Sequence, residues 1–197
     1  MARASDNFSI ADEDPLSSGG LWDGGYSPSA ANLKIVTNRV RAGTIDTDSI
    51  ATYNGIAPGP DQFSQFTLTA YDTLVNHNSG GLVRGASPTT KTLYWGGARV
   101  RPLTNVSKIR KLISNVETDL AETSTAWAVN DVVRLEIIGT TITVFRNGTS
   151  VLSTTDSDIA SGRVGIFMDF DVAESVIEVD DWSGGDFGLI SLLGAGT

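Results

Sequence analysis

The chain has 197 residues, no cysteine and one histidine, His77. These numbers exclude disulfide scaffolds, cysteine-based zinc or iron–sulfur sites and thiol catalysis, and they favour a single domain. The 14 basic and 23 acidic residues give a net charge of -9, which repels phosphate backbones and makes nucleic acid an unfavourable partner.

The N-terminal residues Met1 to Asp6 lack the apolar stretch of a secretory signal peptide. No run in the chain approaches the roughly 20 apolar residues of a membrane span, so no membrane partner is expected. We therefore expect a protein made in the cytosol as it stands, or a fragment whose leader was removed.

Apolar and polar residues alternate along several short runs. Because alternate side chains of a strand point to opposite faces, each run predicts a half-buried strand. Gly139–Thr140 and Asn147–Gly148 separate such runs, and Asn-Gly is a strong signal for a two-residue hairpin. The pattern predicts an all-β protein, an antiparallel sandwich or barrel. The alternating runs are residues 65–70, 133–137, 141–144, 164–170 and 176–179.

Residues 105–121 fit two structures. Their apolar positions match helical spacing, and they also match two strands joined across Ser114–Asn115. The surrounding strands favour the hairpin.

A series of short motifs runs through the chain in a familiar order: Asp6–Phe8, Ile10–Asp12, Leu16–Trp22, Gly81–Arg84, Asn130–Glu136, Gly139–Val144, Asn147–Gly148, Thr155–Asp156, Gly162–Ile166 and Val179–Trp182. It resembles the concanavalin A-like (laminin G-like) jelly-roll superfamily in its bacterial and phage versions, over about residues 6 to 187. The resemblance implies a two-sheet antiparallel jelly-roll sandwich, with the N- and C-terminal strands adjacent. We expect one domain, 1–187, followed by an apolar tail, 188–197.

Members of this superfamily include laminarinase-type glycoside hydrolases, with a Glu-x-Asp-x-x-Glu signature on one strand. The closest match here begins at Glu178 and Asp180 but ends in Ser183, so one carboxylate is missing. His77 lies in a stretch of small polar residues typical of a loop, without a nucleophile elbow. We predict no catalytic residues, and keep a polysaccharide hydrolase as an alternative.

Calcium is the candidate cofactor, because family members often carry a structural calcium and hard oxygen ligands from loops suit this ion. The candidate ligands are Asp12, Asp14, Asp180 and Asp181. An acidic loop in so acidic a protein is also expected without any metal.

Glycan binding requires exposed aromatic rings and polar groups that fix hydroxyls. Tyr94 and Trp95 are adjacent in one strand, so one should be buried and the other exposed. Phe167 also falls on an outward position. Stray aromatics on a sheet surface are the alternative interpretation. The candidate glycan-binding residues are Tyr94, Trp95, Arg84, Arg99 and His77, with the Asn76–Asn78 loop.

The apolar tail should dock on its own domain or act as an assembly arm on a neighbouring subunit, through Leu189, Ile190, Leu192 and Leu193. The acidity, the absence of cysteine and this tail favour a non-catalytic assembly module on a virion surface, such as a phage head-decoration or tail-associated protein, with other subunits as partners. A lectin-like carbohydrate-binding module is the alternative from a second class.

Overall fold

The computed structural model describes residues 1–23, 33–43, 48–72, 74, 76–87, 90–102, 104–170 and 176–187. Within these residues the chain forms fifteen β-strands and no helix. It therefore contains no helix that could span a membrane in the described part. The strands are β1 Arg3–Asp6, β2 Trp22–Asp23, β3 Leu33–Val36, β4 Arg39–Ala42, β5 Ser49–Tyr53, β6 Gln62–Tyr71, β7 His77–Ser87, β8 Thr92–Val100, β9 Val106–Ile113, β10 Val116–Ser124, β11 Val132–Ile138, β12 Thr141–Arg146, β13 Thr149–Thr155, β14 Arg163–Phe170 and β15 Ile177–Asp186.

The described strands form two antiparallel sheets, which confirms the predicted sandwich. The back sheet has eight strands in the order β13-β12-β11-β6-β15-β4-β3, with β1 paired to β15. The front sheet has seven strands in the order β10-β9-β8-β7-β14-β5-β2. Because β1 pairs with β15 from Arg3↔Gly185 to Asp6↔Trp182, the first and last strands are adjacent, as expected.

Two tight turns set the register of the edge hairpins. Asn147 and Gly148 have φ angles of 50° and 78°, and they join β12 to β13. Ser114 and Asn115 have φ angles of 51° and 69°, and they join β9 to β10. Two consecutive positive φ values match the twist of a two-residue hairpin. Residues 105–121 are therefore a hairpin and not a helix.

The main core lies between the sheets. It is built from inward residues of the alternating strands, such as Leu135 and Ile166. Trp22 and Trp182 pack edge to face at one end with ring centroids 4.6 Å apart. Their indole N–H groups are satisfied, since Trp22 Nε1 donates to Asp6 Oδ2 (2.8 Å) and Trp182 Nε1 to Ser64 Oγ (3.0 Å).

A second apolar cluster lies on the outer face of the front sheet, away from the back sheet. Trp95 and Phe167 stack there with ring centroids 4.4 Å apart and an interplanar angle of 4°. All its members have no exposed surface, so the front sheet buries apolar side chains on both faces. The members are Ile50, Leu82, Leu93, Trp95, Leu112 and Phe167.

Candidate functional site

The outer face of the front sheet changes from apolar to polar along its strands. Arg99 of β8 lies opposite Asn78 of β7, and Asn78 lies opposite Asp169 of β14. Residues opposite one another in antiparallel strands share a face. We call these three side chains the polar row, and they form the candidate site. Along β14, Asp169 lies two residues after Phe167.

Asn78 is the centre of the polar row. Its side chain is fixed by Nδ2, which donates to Asp169 Oδ2 at 3.1 Å. The residue is only 6% exposed, and its other amide atom, Oδ1, is buried without a hydrogen-bond partner. An unpaired buried carbonyl oxygen is costly, so a hydrogen-bond donor at this position would stabilise it.

Arg99 is half-buried beside Asn78 and is also incompletely paired. Its Nε atom is buried without a hydrogen-bond partner. Desolvation by burial lowers the pKa of the guanidinium, and the positive charge of Arg101 lowers this pKa further. Partial burial of a cation that forms no ion pair is unfavourable, and a hydrogen-bond acceptor at this position would relieve it.

The acids next to Arg99 are engaged with other cations. Asp119 Oδ2 lies 2.7 Å from Lys108 Nζ, and Asp119 Oδ1 lies 2.7 Å from Arg110 Nε. Glu122 Oε2 lies 3.4 Å from Arg101 Nη2 and 3.6 Å from Lys108 Nζ. These ion pairs join acids of β10 to cations of β9 and to Arg101, and none of them includes Arg99.

The structure corrects the expected exposure of the two adjacent aromatics, because Tyr94 and Trp95 both have no exposed surface. They do point to opposite faces, but each face carries a core: Tyr94 belongs to the main core and Trp95 to the outer cluster. Phe167 is buried in the same outer cluster. Alternation predicts the face of a side chain but not whether that face is covered.

Tyr94 has a structural hydrogen-bond network at its hydroxyl. The hydroxyl donates to Asp156 Oδ1 at 2.5 Å and accepts from the Ile159 amide at 3.0 Å. Lys111 Nζ donates to Asp156 Oδ2 at 2.6 Å and also pairs with Asp158. Burial, followed by the bond to Asp156, raises the pKa of Tyr94 to about 12. Hydrogen bonds to Asp156 and Asp158 raise the pKa of Lys111 to about 12.

Arg84 is a buried clamp between loops. Its guanidinium donates to the carbonyl oxygens of Pro60 (3.0 Å), Ile159 (2.9 Å) and Gly139 (2.7 Å). The residue is 4% exposed, and it has a positive φ of 50°. These contacts give Arg84 a structural role, and its predicted contact with a glycan stays a prediction.

His77 and Asn78 do not lie in a loop, which corrects the sequence-based expectation for residues 76–78. Both residues begin β7 and pair with Val100 and Arg99 of β8. His77 has no exposed surface. By alternation with Val83, it lies on the core side of the sheet, opposite to the polar row.

The calcium site expected at Asp12, Asp14, Asp180 and Asp181 stays a prediction, and two of these aspartates accept backbone amides. Asp12 Oδ1 accepts the Thr37 amide at 2.7 Å, and Asp180 Oδ1 accepts the Asp181 amide at 2.8 Å. Burial raises the pKa of Asp180. Across the described residues, no three acidic or histidine side chains are grouped to hold a metal ion.

Glu178 and Asp180, the start of the hydrolase-like signature, lie on β15 of the back sheet. Glu178 is 4% exposed and forms ion pairs with Arg39 (2.8 Å) and Arg41. Neither residue lies near the polar row, because the back sheet is the other layer of the sandwich. The arm residues Leu189, Ile190, Leu192 and Leu193 lie outside the described residues.

No protein-family model matches the chain, and no curated protein matches it significantly. Solved structures do resemble it. The carbohydrate-binding module CBM66 from Bacillus subtilis is 16% identical, with a TM-score of 0.59 over 81% of this chain and 95% of that one. The exoplasmic/lumenal domain of VIP36, in a form bound to Ca²⁺ and Man3GlcNAc, is 10% identical, with a TM-score of 0.61 over 83% of both chains.

An enzyme also shares this architecture. The endo-β-galactosidase from Clostridium perfringens that releases GlcNAcα1-4Gal is 9% identical, with a TM-score of 0.59 over 93% of this chain and 62% of that one. At these identities the similarity establishes the fold, a lectin-like two-sheet sandwich. The function has to be argued from the side chains, because one fold supports many functions.

The sequence predicted Arg99 and the segment containing Asn78 as candidate glycan-binding residues. It did not predict that Asp169 lies beside them. Asp169 is an outward polar residue in the alternating run 164–170. The alternation therefore indicated that the Asp169 side chain points outward. Only the pairing of β7 with β14 shows that Asp169 lies beside Asn78.

Proposed function

We propose that the protein is a non-catalytic carbohydrate-binding module, with its ligand site at the polar row. The observation that carries this proposal is the pair of unpaired polar groups on adjacent strands, the Asn78 acceptor and the Arg99 donor. Two of the similar structures support it, since one is a carbohydrate-binding module and the other contains a bound oligosaccharide.

The chemistry of the row suits a saccharide. A sugar hydroxyl is both a donor and an acceptor, so neighbouring hydroxyls can donate to Asn78 Oδ1 and accept from Arg99 Nε. Asp169 adds a carboxylate beside them, held by the amide of Asn78. A small number of fixed polar groups is what gives small-molecule sites their orientation and specificity.

A catalytic role has less support. Glycoside hydrolysis requires two carboxyl groups flanking one bond, about 5–9.5 Å apart depending on the stereochemical outcome. The polar row supplies one carboxylate, Asp169. Glu178 is held by two arginines on the back sheet. The hydrolase therefore remains the weaker alternative, supported by the shared fold of the endo-β-galactosidase.

The virion-surface hypothesis stays a separate prediction. The structural similarities favour carbohydrate binding over it and offer it no support. Its proposed arm lies outside the described residues, so it depends on a measurement of assembly. Light scattering of the full chain, compared with a chain lacking residues 188–197, tests that hypothesis without any reference to the polar row.

A glycan array tests the proposed function directly. Wild-type protein should bind at least one class of glycan, and Asn78→Ala should bind it more weakly by about tenfold, the expected effect of one lost hydrogen bond. Lys34→Gln is the control, because Lys34 alternates with buried residues of β3 and faces outward on the back sheet. A wild-type chain that binds no glycan, or an Asn78→Ala variant with full affinity, contradicts the proposal.

A further inference from the structure

We infer that the polar row selects an anionic saccharide, one whose sugar carries a carboxylate or sulfate group that binds to Arg99. This inference rests on the proposed function and names its ligand class. It comes from the charges around Arg99 and from the opposite hydrogen-bonding character of its neighbour, Asn78.

The guanidinium of Arg99 carries a positive charge that no neighbouring acid among the described residues pairs with directly. In the described part of the chain, its acidic neighbours Asp119 and Glu122 are paired with other cations, as shown above. Arg99 Nε remains buried without a partner. A neutral hydroxyl would supply a hydrogen bond here, but only an oxyanion would also form an ion pair with Arg99, which none of the described acids does. Arginine presents parallel N–H groups that match the two oxygens of such a group.

Asn78 lies next to the position that such an anion would occupy on Arg99. Asn78 Oδ1 needs a donor, which a carboxylate or sulfate group cannot provide. An acidic sugar carries hydroxyl groups beside its anionic group, and one of them can donate to Asn78. A simple anion satisfies only Arg99, and a neutral sugar forms no ion pair with it. The pair is therefore complementary to a saccharide that has both functions.

The net charge of -9 opposes an anionic ligand at long range. Screening limits this repulsion, because the Debye length is about 8 Å at physiological ionic strength. Close to the row, the positive charges of Arg101 and Arg110 act on Arg99 together with the negative charges of Glu122 and Asp119. A preference for the charged form of a ligand over its neutral form would therefore be a local property of Arg99.

Calorimetric titration of the full chain with matched oligosaccharides tests the inference. The probes are trigalacturonate, its neutral methyl ester and a sulfated carrageenan oligosaccharide with its desulfated form. Wild-type protein should bind a charged form about 10- to 100-fold more tightly than its neutral counterpart, the effect of a charge-assisted hydrogen bond. The two charged probes distinguish carboxylate from sulfate recognition.

Variants assign the preference to Arg99. Arg99→Gln should abolish the preference for the charged form, Arg99→Lys should keep part of it, and the control Lys34→Gln should keep all of it. Thermal unfolding of each variant confirms that it is folded. Equal binding of charged and neutral forms overturns the inference while the proposed function stands. If the protein binds none of these probes and no glycan on the array, both are overturned.

Discussion

Replacing Arg84 by methionine separates a structural arginine from a ligand-binding one. The guanidinium of Arg84 links three loops through the carbonyl oxygens of Pro60, Ile159 and Gly139. Methionine has a similar length and no donor. The positive φ of 50° is equally unfavourable for both residues, so the substitution removes the hydrogen bonds without altering backbone strain.

The magnitude follows from the burial of each bond. The bond to Ile159 is buried, so its loss leaves an acceptor unsatisfied, at about 1–3 kcal/mol. The bonds to Pro60 and Gly139 are partly exposed, and water can replace them at about 1 kcal/mol each. Removal of a desolvated cation offsets part of this. We expect a net loss of about 3 kcal/mol, which lowers the melting temperature by about 6–12 °C in a chain of this size.

Calorimetric unfolding of Arg84→Met and Arg99→Met provides the matched comparison. Both substitutions remove a guanidinium from the front sheet, but only Arg84 is clamped, so Arg99→Met should change the stability by no more than about 0.5 kcal/mol. Binding should show the reverse: Arg84→Met keeps glycan affinity below its melting temperature, and Arg99→Met loses it. If Arg84→Met unfolds with the wild type and loses glycan binding, the clamp argument is refuted.

Two further predictions concern buried charges and hydroxyls. Tyr94 should titrate with a pKa of about 12, above the ordinary tyrosine value of 10.0. The stability that the neutral hydroxyl contributes is therefore fully present below pH 10 and is lost as the pH rises to about 12. Ultraviolet titration should show this late step, and Tyr94→Phe should lack it; a tyrosine that ionises near pH 10 at this position contradicts the network. Lys108→Met should cost at most about 1 kcal/mol, because its partner Asp119 is 56% exposed. By contrast, the double variant Asp119→Asn, Glu122→Gln should lose about 3 kcal/mol of stability, because it leaves the 2% exposed Lys108 without a counter-charge. Equal denaturation midpoints for Lys108→Met and this double variant would exclude the difference.

The fold could be predicted from the sequence because its signals are local. Alternation placed Leu135 and Ile166 in the core, and consecutive residues suited to positive φ marked the hairpin turns. The structural role of Arg84 could not be predicted in this way, because its carbonyl partners lie 24, 55 and 75 residues away. His77 was expected in a loop from its polar neighbours, but pairing with β8 makes the segment a strand.

The outer face of the front sheet shows why local signals also miss a site. Period-two alternation predicts that Phe167 and one of Tyr94 and Trp95 point outward, and it treats the outward side as uniform surface. The structure divides it into a fully buried apolar cluster and a half-buried polar row. Within the row, the unpaired Asn78 and Arg99 atoms lower the stability of the fold. Apolar residues would pack there at lower cost, as they do at Phe167. The unpaired groups on β7 and β8 are one acceptor and one donor. This arrangement suits a ligand that forms a hydrogen bond with each of them.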